Sequence, residues 1–251
     1  MAGEAQNQLC ALGQIRVEWR TAYGPAAQPR SFPIPQFIDL PTERTCAGTD
    51  LLLAIVALAC LIYLVRLRRA PFKTQVWAAA FGLLTFAAAM GAVAHGFKMS
   101  AQLNRILWMP LNLALGLAIG MFVVGVVYDQ WGQAAARRVL PILLGVGVAF
   151  FLVTVLIPGS FTVFILYEAV AMLFALAVYV LVAARGPLPG AWWMVAGVAI
   201  TIAAAGIQAL GVTRFTALGC EFDHNGAFHL IQIAGVLVLT NGLRLALLAK
   251  Q

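Results

Sequence analysis

The stretch TDLLLAIVALACLIYLVRLRR, residues 49–69, is an apolar run that ends in a cluster of arginines. No charged residue interrupts it between Leu51 and Val65. A helix of about 20 apolar residues is long enough to cross the hydrocarbon layer of a membrane. The run therefore predicts a membrane-spanning helix, and its arginines indicate which end meets the cytoplasm.

Six further segments of the chain have the same apolar character. The protein has 251 residues, of which 63% are hydrophobic and 10% are charged, whereas about 25% of the residues in a soluble domain are charged. We predict an all-α integral membrane protein that folds as a seven-transmembrane-helix bundle over residues 50–251. The predicted helices are 50–67, 73–97, 105–127, 139–157, 161–184, 189–211 and 225–248.

Lysine and arginine are distributed unevenly between the two sides of this predicted bundle, and such a bias sets the orientation. One side carries Arg66, Arg68, Arg69, Lys73, Arg137, Arg138, Arg185, Arg244 and Lys250. The opposite loops carry only Lys98, Arg105 and Arg214. We therefore predict that the N-terminus lies outside and the C-terminus in the cytoplasm, in a bacterial inner membrane. The net charge of +7 then indicates attraction to the cytoplasmic leaflet and not nucleic-acid binding.

The first 49 residues differ from the rest and form a predicted extracytoplasmic N-terminal arm. They contain no apolar core long enough for a secretory signal, and SFPIPQFIDLP (residues 31–41) is typical of extended chain because proline disfavours helix. Three interpretations stay open. The arm is flexible or lies on the surface, part of it precedes the natural start, or it packs across the outer mouth of the bundle or against a membrane-protein partner.

All three histidines of the chain fall at one predicted membrane depth. His95 lies near the outer end of the second helix, and His224 and His229 lie at the outer start of the last helix. Other polar residues fall in the same outer half, and such groups in a membrane helix face the bundle interior or a wet cavity. We predict a polar pocket that also contains Asp50, Asn112, Glu168, Gln208, Asn225 and Gln232.

Imidazoles beside carboxylates are the ligand set of a zinc site, and three protein ligands with one open position are typical of a catalytic zinc. The predicted metal ligands are His95, His224 and His229, and the predicted catalytic bases are Glu168 and Asp223. Since His224 and His229 are five residues apart, both can reach one ion only if His224 precedes the regular helix, with Asp223 or Asn225 as its cap. The alternative is that the histidines are interfacial hydrogen-bonding groups and Glu168 is a buried neutral acid.

Three of the four cysteines fall on the predicted outer side. Cys60 lies inside the first helix, where a small packed side chain is expected, whereas Cys46 and Cys220 each lie just before a helix. In an oxidising periplasm a disulfide between Cys46 and Cys220 is plausible. It would attach the arm to the loop that carries His224.

Two short stretches, GAVAHGF (91–97) and DHNGAFHLIQ (223–232), resemble motifs of the CREST superfamily. This group contains the alkaline ceramidases, the progestin/adiponectin receptors and the Per1-type proteins, and the resemblance runs from about residue 49 to 248, mainly in architecture. Its members hold zinc with three histidines, which implies that His95 and His229 are ligands here. The chain departs from the pattern at Gly91, where the family has serine, at Asn225, where it has the first histidine of the last helix, and in the third helix, which lacks the family's aspartate.

Three functions follow as hypotheses. In the first, the protein is an intramembrane hydrolase that binds zinc, or alternatively iron, and cleaves a lipid amide or ester with activated water. In the second, it is a non-catalytic membrane subunit that binds metal, haem or lipid and docks to a larger complex through residues 1–49. In the third, it is a proton-coupled transporter that uses Glu168 and the histidines as a relay, although no internal repeat of the kind common in transporters is evident.

Overall fold

The computed structural model describes residues 36–67, 69–157, 161–186 and 188–249. Within these ranges the chain forms six helices that are long and apolar enough to cross a membrane, and the predicted all-α class is confirmed. The helices are α1 Pro41–Arg66, α2 Pro71–Gly96, α3 Ala101–Leu156, α4 Phe161–Arg185, α5 Ala191–Leu210 and α6 His224–Leu248. A two-stranded hairpin, β1 Phe215–Ala217 and β2 Cys220–Phe222, precedes α6.

The helices close into a ring. Each helix packs against the next one along the chain, and α6 also packs against α1. The first helix has one face that packs inside the bundle and one face on its outer surface. Small or apolar side chains at Leu53, Ala57, Cys60 and Leu64 are buried. The opposite face of α1 carries exposed apolar residues at a helical spacing, namely Leu51, Ile55, Leu58 and Ile62, as expected for a helix that faces lipid.

Helix α3 is folded back on itself. Its 56 residues would extend about 84 Å as a straight helix, far beyond the ~30 Å of a bilayer's hydrocarbon core. The backbone leaves helical geometry at Gly132, with φ 80° and ψ −180°, a conformation that glycine adopts without a steric cost. Gly116 packs against the backbone of Gly147, and Gly120 packs against that of Leu143. The two arms of α3 therefore run antiparallel. One contains the predicted helix 105–127, and the other matches the predicted helix 139–157 except that it ends at Leu156.

The prediction that the first helix starts at Asp50 is wrong, because α1 begins at Pro41. Proline suits the first helical position since its missing N–H would be unpaired there in any residue. Glu43 in the first turn interacts favourably with the positive end of the helix dipole. Asp50 is therefore a buried residue in the middle of the helix. The apolar run marked only the more apolar part of α1.

Residues 36–40 connect the start of α1 to the end of α2. The amide of Ile38 donates to the Gly96 carbonyl at 3.0 Å, and the rings of Phe37 and Phe97 stack with centroids 5.1 Å apart. The Lys98 ammonium lies 2.6 Å from the Asp39 carboxylate, and this hydrogen bond lowers the pKa of Asp39. The last residues of the predicted arm thus lie against the end of α2 that carries His95. The arm's residues 1–35 lie outside the described ranges.

The hairpin sets the start of α6, and the sequence did not predict it. Leu218 and Gly219 at its turn both have positive φ, as in the tight turns that connect twisted antiparallel strands. The Phe215 and Phe222 rings stack across it at 4.8 Å. Asp223 follows as the N-cap of α6, where its carboxylate accepts hydrogen bonds from the backbone N–H groups of Asn225 and Gly226.

A buried ion pair joins α2, α3 and α4 at the end of α2 away from His95. The Lys73 ammonium lies 2.5 Å from the Asp129 carboxylate, and the Tyr179 hydroxyl donates to the second carboxylate oxygen at 2.9 Å. All three side chains are almost fully buried. Because removing one partner of such a pair leaves an uncompensated buried charge, this contact helps to fix how the three helices meet.

Candidate functional site

The ring of helices encloses a cavity of about 640 Å³, and all six helices contribute to its lining. This volume lies in the range of small-molecule binding sites. The structure brings His95, His224 and His229 to this one cavity, although they are distant in sequence. The same cavity is lined by the other residues of the predicted polar pocket, namely Asp50, Asn112, Glu168, Gln208, Asn225 and Gln232.

Many of the polar residues of the cavity lie at one end, and most of the remaining lining is apolar. The cavity follows α6 from His224 to Leu239, which is about 22 Å at the helical rise. Its other apolar walls include Leu53, Trp77, Phe81, Phe122 and Met172. This arrangement matches an elongated ligand with one polar end.

His229 is the centre of the polar end and contacts three residues of α1. Its Nε2 lies 3.2 Å from Oδ1 of Asp50, and its Nδ1 lies 3.1 Å from the Thr49 hydroxyl and 3.9 Å from the Cys46 sulfur. The side chains of His229, Asp50 and Cys46 are 8%, 5% and 1% exposed. The site is therefore built mainly between α1 and α6, away from bulk water.

Gly91 provides the space that the Asp50 carboxylate occupies. A Cβ atom at Gly91 would lie 2.6 Å from Oδ2 of Asp50, which is shorter than any ordinary contact. Gly91 also precedes His95 by one helical turn, so the two residues share a face of α2. The polar group beside this face of α2 thus comes from α1.

His95 forms a second pair with a carboxylate. Its Nδ1 lies 2.6 Å from Oε2 of Glu43, and its ring meets Trp108 edge-to-face at 5.5 Å. When Nδ1–H donates to Glu43, the neutral imidazole keeps its Nε2 as an acceptor. Since His95 also lines the cavity, this pair has the geometry of a carboxylate-oriented histidine.

The structure places three predicted site residues at the start of α6. His224 is the first residue of the helix and not a residue of the preceding loop. Asn225, which takes the place of the first family histidine, accepts a hydrogen bond from the Gln208 amide at 3.0 Å. Asp223, a predicted base, caps the helix and is not among the residues that line the cavity.

Polar groups also lie among the apolar walls of the cavity. Glu168 is 8% exposed, and Gln232 lies almost one turn below His229 on α6. The Gln232 Oε1 and the Trp77 indole N–H are buried and have no hydrogen-bond partner among the residues that the structure describes. Buried polar atoms of this kind are rare in proteins and call for an explanation. A bound ligand with polar atoms beside these two groups would provide one.

The predicted metal ligands do not form the tightest donor group. Among the described residues, Cys46, Asp50 and His229 each offer one donor atom, and these atoms lie within 4.8 Å of one another. Only His229 of the three predicted histidine ligands belongs to this group. His95 and His224 line the cavity beside it.

The predicted disulfide between Cys46 and Cys220 is not formed, and both residues are free cysteines. Cys46 lies inside α1, where it faces His229, whereas Cys220 is exposed on β2. The prediction failed because it placed Cys46 in a loop before the helix.

Sequence reasoning also missed the roles of Glu43 and Cys46. With Asp50 these residues are spaced i, i+3 and i+7, which places them along one face of a helix. That spacing was a usable signal, but it has meaning only if the helix starts before Glu43.

The fold and the cavity define a class: a helical-bundle membrane protein with an interior, polar-ended cavity. The chain belongs to DUF6962, a family of unknown function, whose model matches residues 45–247. No curated protein and no solved structure matches the chain. The resemblance to the CREST superfamily therefore stays a prediction.

The contact between Gly91 and Asp50 gives a first testable prediction. We expect Gly91→Ala to destabilise the protein by about 1–3 kcal/mol, the usual cost of overpacking, because the new methyl group must displace a carboxylate that His229 holds. Thermal unfolding in detergent measures the change.

Gly48→Ala is the matched control, since a Cβ there meets no atom within 4 Å. The double variant Gly91→Ala/Asp50→Ala should cost less than the sum of its single changes, because the clash is removed. If Gly91→Ala is as stable as Gly48→Ala, the described contact does not exist.

Proposed function

We propose that the protein is an intramembrane hydrolase that uses a divalent metal ion, most simply zinc, to cleave a lipid amide or ester. In this proposal α3 crosses the membrane twice, once with each arm, so that the chain has seven membrane passages. The N-terminus lies outside and the C-terminus in the cytoplasm of a bacterial inner membrane. The polar end of the cavity then faces the periplasm.

The observation that carries the proposal is the combination of two histidine–carboxylate pairs with a long apolar cavity. One leaflet of a bilayer has a hydrocarbon depth of about 15 Å, half of the ~30 Å core. A cavity that follows α6 for about 22 Å accommodates one lipid chain and leaves room for its linkage at Asp50 and His229. The groups proposed to react with the linkage and the apolar walls proposed to bind the lipid chain thus belong to the same cavity.

A divalent metal bound at this end would polarise the substrate carbonyl and lower the pKa of a water molecule. Side chains of the protein would orient the reacting groups and accept the proton of the water molecule. Glu43 holds Nδ1 of His95 and thereby leaves Nε2 to accept a proton. Glu168, which lines the cavity without the helix-capping role of Asp223, is the second candidate for the general base. The apolar walls exclude bulk water from the reacting end.

The proposed orientation rests on the basic residues and on the fold of α3. Antiparallel arms in α3 return the chain to the side from which it entered, so an odd number of passages follows for the whole chain. Arg66, Arg137, Arg185 and Arg244 then fall at cytoplasmic helix ends, as the positive-inside rule requires. Cys220 falls on the periplasmic side.

A second candidate is a non-catalytic membrane subunit that binds lipid in the same cavity. The observation that favours it is that His95 and His229 already have carboxylate partners, so the polar end is electrostatically balanced without a reaction. Such a subunit would retain a co-purified lipid and would show no turnover.

Turnover of a lipid tests the hydrolase. We expect purified full-length protein in nanodiscs, supplied with zinc, to hydrolyse a fluorescent long-chain amide or ester. Glu168→Gln should lower the rate about 10²–10⁴-fold, the usual contribution of a general base, because the amide cannot accept a proton.

The matched control is Glu221→Gln, which makes the same chemical change at an exposed position of β2. Unchanged turnover in Glu168→Gln would remove Glu168 from the reaction. Absence of turnover with any amide or ester, together with a tightly bound intact lipid, would replace the hydrolase with the non-catalytic candidate.

Thiol labelling tests the orientation. In a Cys10→Ser background, a membrane-impermeant maleimide added to right-side-out vesicles should label Cys220, which is exposed, but not the buried Cys46 or Cys60. Peptide mass spectrometry identifies the labelled residue. Labelling of Cys220 only after the membrane is permeabilised would reverse the proposed orientation.

A further inference from the structure

We infer that Cys46, Asp50 and His229 are the protein ligands of a divalent transition metal, with zinc as the ion that this set favours. The inference rests on the proposed metal-dependent function and names the residues that hold the ion. It replaces two of the three histidines that the sequence suggested. A thiol, a carboxylate and an imidazole whose donor atoms all lie within 4.8 Å of one another carry it.

The chemistry of the three donors points to zinc. Thiolate, imidazole and carboxylate are its protein ligands, and soft sulfur disfavours magnesium and calcium. Three protein ligands leave one of the four tetrahedral positions open, as in catalytic sites. Asp50 and His229 line the cavity, so an ion held by them would be within reach of a molecule in the space proposed for substrate.

The hydrogen bonds of Thr49 orient the imidazole of His229 for a metal. The Thr49 hydroxyl has one proton, and it donates this proton to the Cys46 carbonyl at 2.9 Å. The same hydroxyl oxygen lies 3.1 Å from Nδ1 of His229, and when its proton goes to the Cys46 carbonyl, Nδ1 is the nitrogen that donates to it. The hydrogen bond at one ring nitrogen determines which nitrogen binds a metal. In the tautomer with the proton on Nδ1, Nε2 keeps its lone pair.

That lone pair faces another acceptor. Nε2 of His229 lies 3.2 Å from Oδ1 of Asp50, and with the ring proton on Nδ1 a neutral imidazole and an ionised carboxylate repel each other at this distance. A cation between the two atoms removes the repulsion. Two metal–ligand bonds of about 2.1 Å at a tetrahedral angle hold their donor atoms roughly 3.4 Å apart, close to the observed spacing.

Burial strengthens the argument. Asp50 is 5% exposed and Cys46 is 1% exposed, and an isolated buried carboxylate is too costly to persist without a partner. The two residues are four apart on α1, so they project from one face of the helix. Thr49 lies beside them, and Gly91 leaves the room that Asp50 needs. Four positions on two helices thus serve one cluster.

His95 has a different role in this arrangement. Its Nδ1 is held by Glu43 at 2.6 Å, and neither residue belongs to the donor cluster. His95 is therefore not one of the ligands, and it is one of the two candidate proton acceptors in the cavity, with Glu168. His224, at the first position of α6, also lies outside the cluster.

Cobalt(II) gives a direct test because it replaces zinc and reports its ligands by colour. Titration of the metal-free full-length protein in detergent with cobalt(II) should give one equivalent of tetrahedral visible bands and a thiolate-to-cobalt charge-transfer band in the near ultraviolet. Cys46→Ser should lose the charge-transfer band. The matched control is Cys60→Ser, which changes another buried cysteine of α1 and should keep it.

Further variants distinguish ligands from neighbours. Thr49→Val keeps the side-chain shape but removes the hydroxyl, and we expect it to weaken cobalt binding about 10–100-fold, as loss of a ligand-orienting group does. Asp50→Asn and His229→Ala should abolish stoichiometric binding. His95→Ala and His224→Ala should retain both bands, and the helical circular-dichroism signal reports whether each variant is folded.

Two results would overturn the inference. Cobalt bound without a charge-transfer band and lost in His95→Ala and His224→Ala would assign the ion to three imidazoles. No binding by the wild-type protein would make Asp50 and His229 a simple ion pair. The hydrolase proposal is judged separately by lipid turnover: the bands without turnover refute only the hydrolase, and turnover without bound metal refutes the ligand assignment.

Discussion

The contact between Asp50 and His229 is the interaction on which the candidate site depends. It joins the middle of the first helix to the start of the last one, and so it links the two ends of the described bundle. A carboxylate and an imidazole inside a membrane protein are costly unless each stabilises the other or both bind a cation. The surrounding features serve this contact: Gly91 makes room for it, Thr49 orients the ring, and Cys46 adds a third donor.

The cavity extends from this contact, and its two ends differ in polarity. Many of the polar side chains lie where α1, α2 and α6 meet, and most of the other cavity walls are apolar. The capped start of α6 and the residues before α1 lie around the polar end. There the Asp223 cap and the isolated β-bridge between Phe37 and Phe97 fix the local backbone. A lipid matches this arrangement most simply, because it has one polar end and a long apolar chain. The proposed chemistry requires the amide or ester linkage of the lipid to reach His229.

Much of the fold could be predicted because apolar runs have a direct physical meaning in a membrane. The helix ends agree within a few residues for most elements, and the depth of His95, His224 and His229 placed them at one cavity. The start of α1 could not be found in this way, since Pro41 to Thr49 form helix outside the apolar run. That one error turned Cys46 into a loop residue, suggested a disulfide and concealed the Glu43–Cys46–Asp50 face. The local sequence pattern does not determine the distances between helices, and these distances decide which residues can be metal ligands and which are only nearby.

A double-mutant cycle between Asp50 and His229 tests the central claim most directly. The variants are Asp50→Asn, His229→Gln and their combination, and the measurement is unfolding free energy in detergent with and without zinc. Residues in direct contact should show a coupling of about 0.5–3 kcal/mol, and the coupling should grow when zinc is added. Changes that add to within about 0.5 kcal/mol in both conditions would contradict the account, because the two side chains would then not share an interaction.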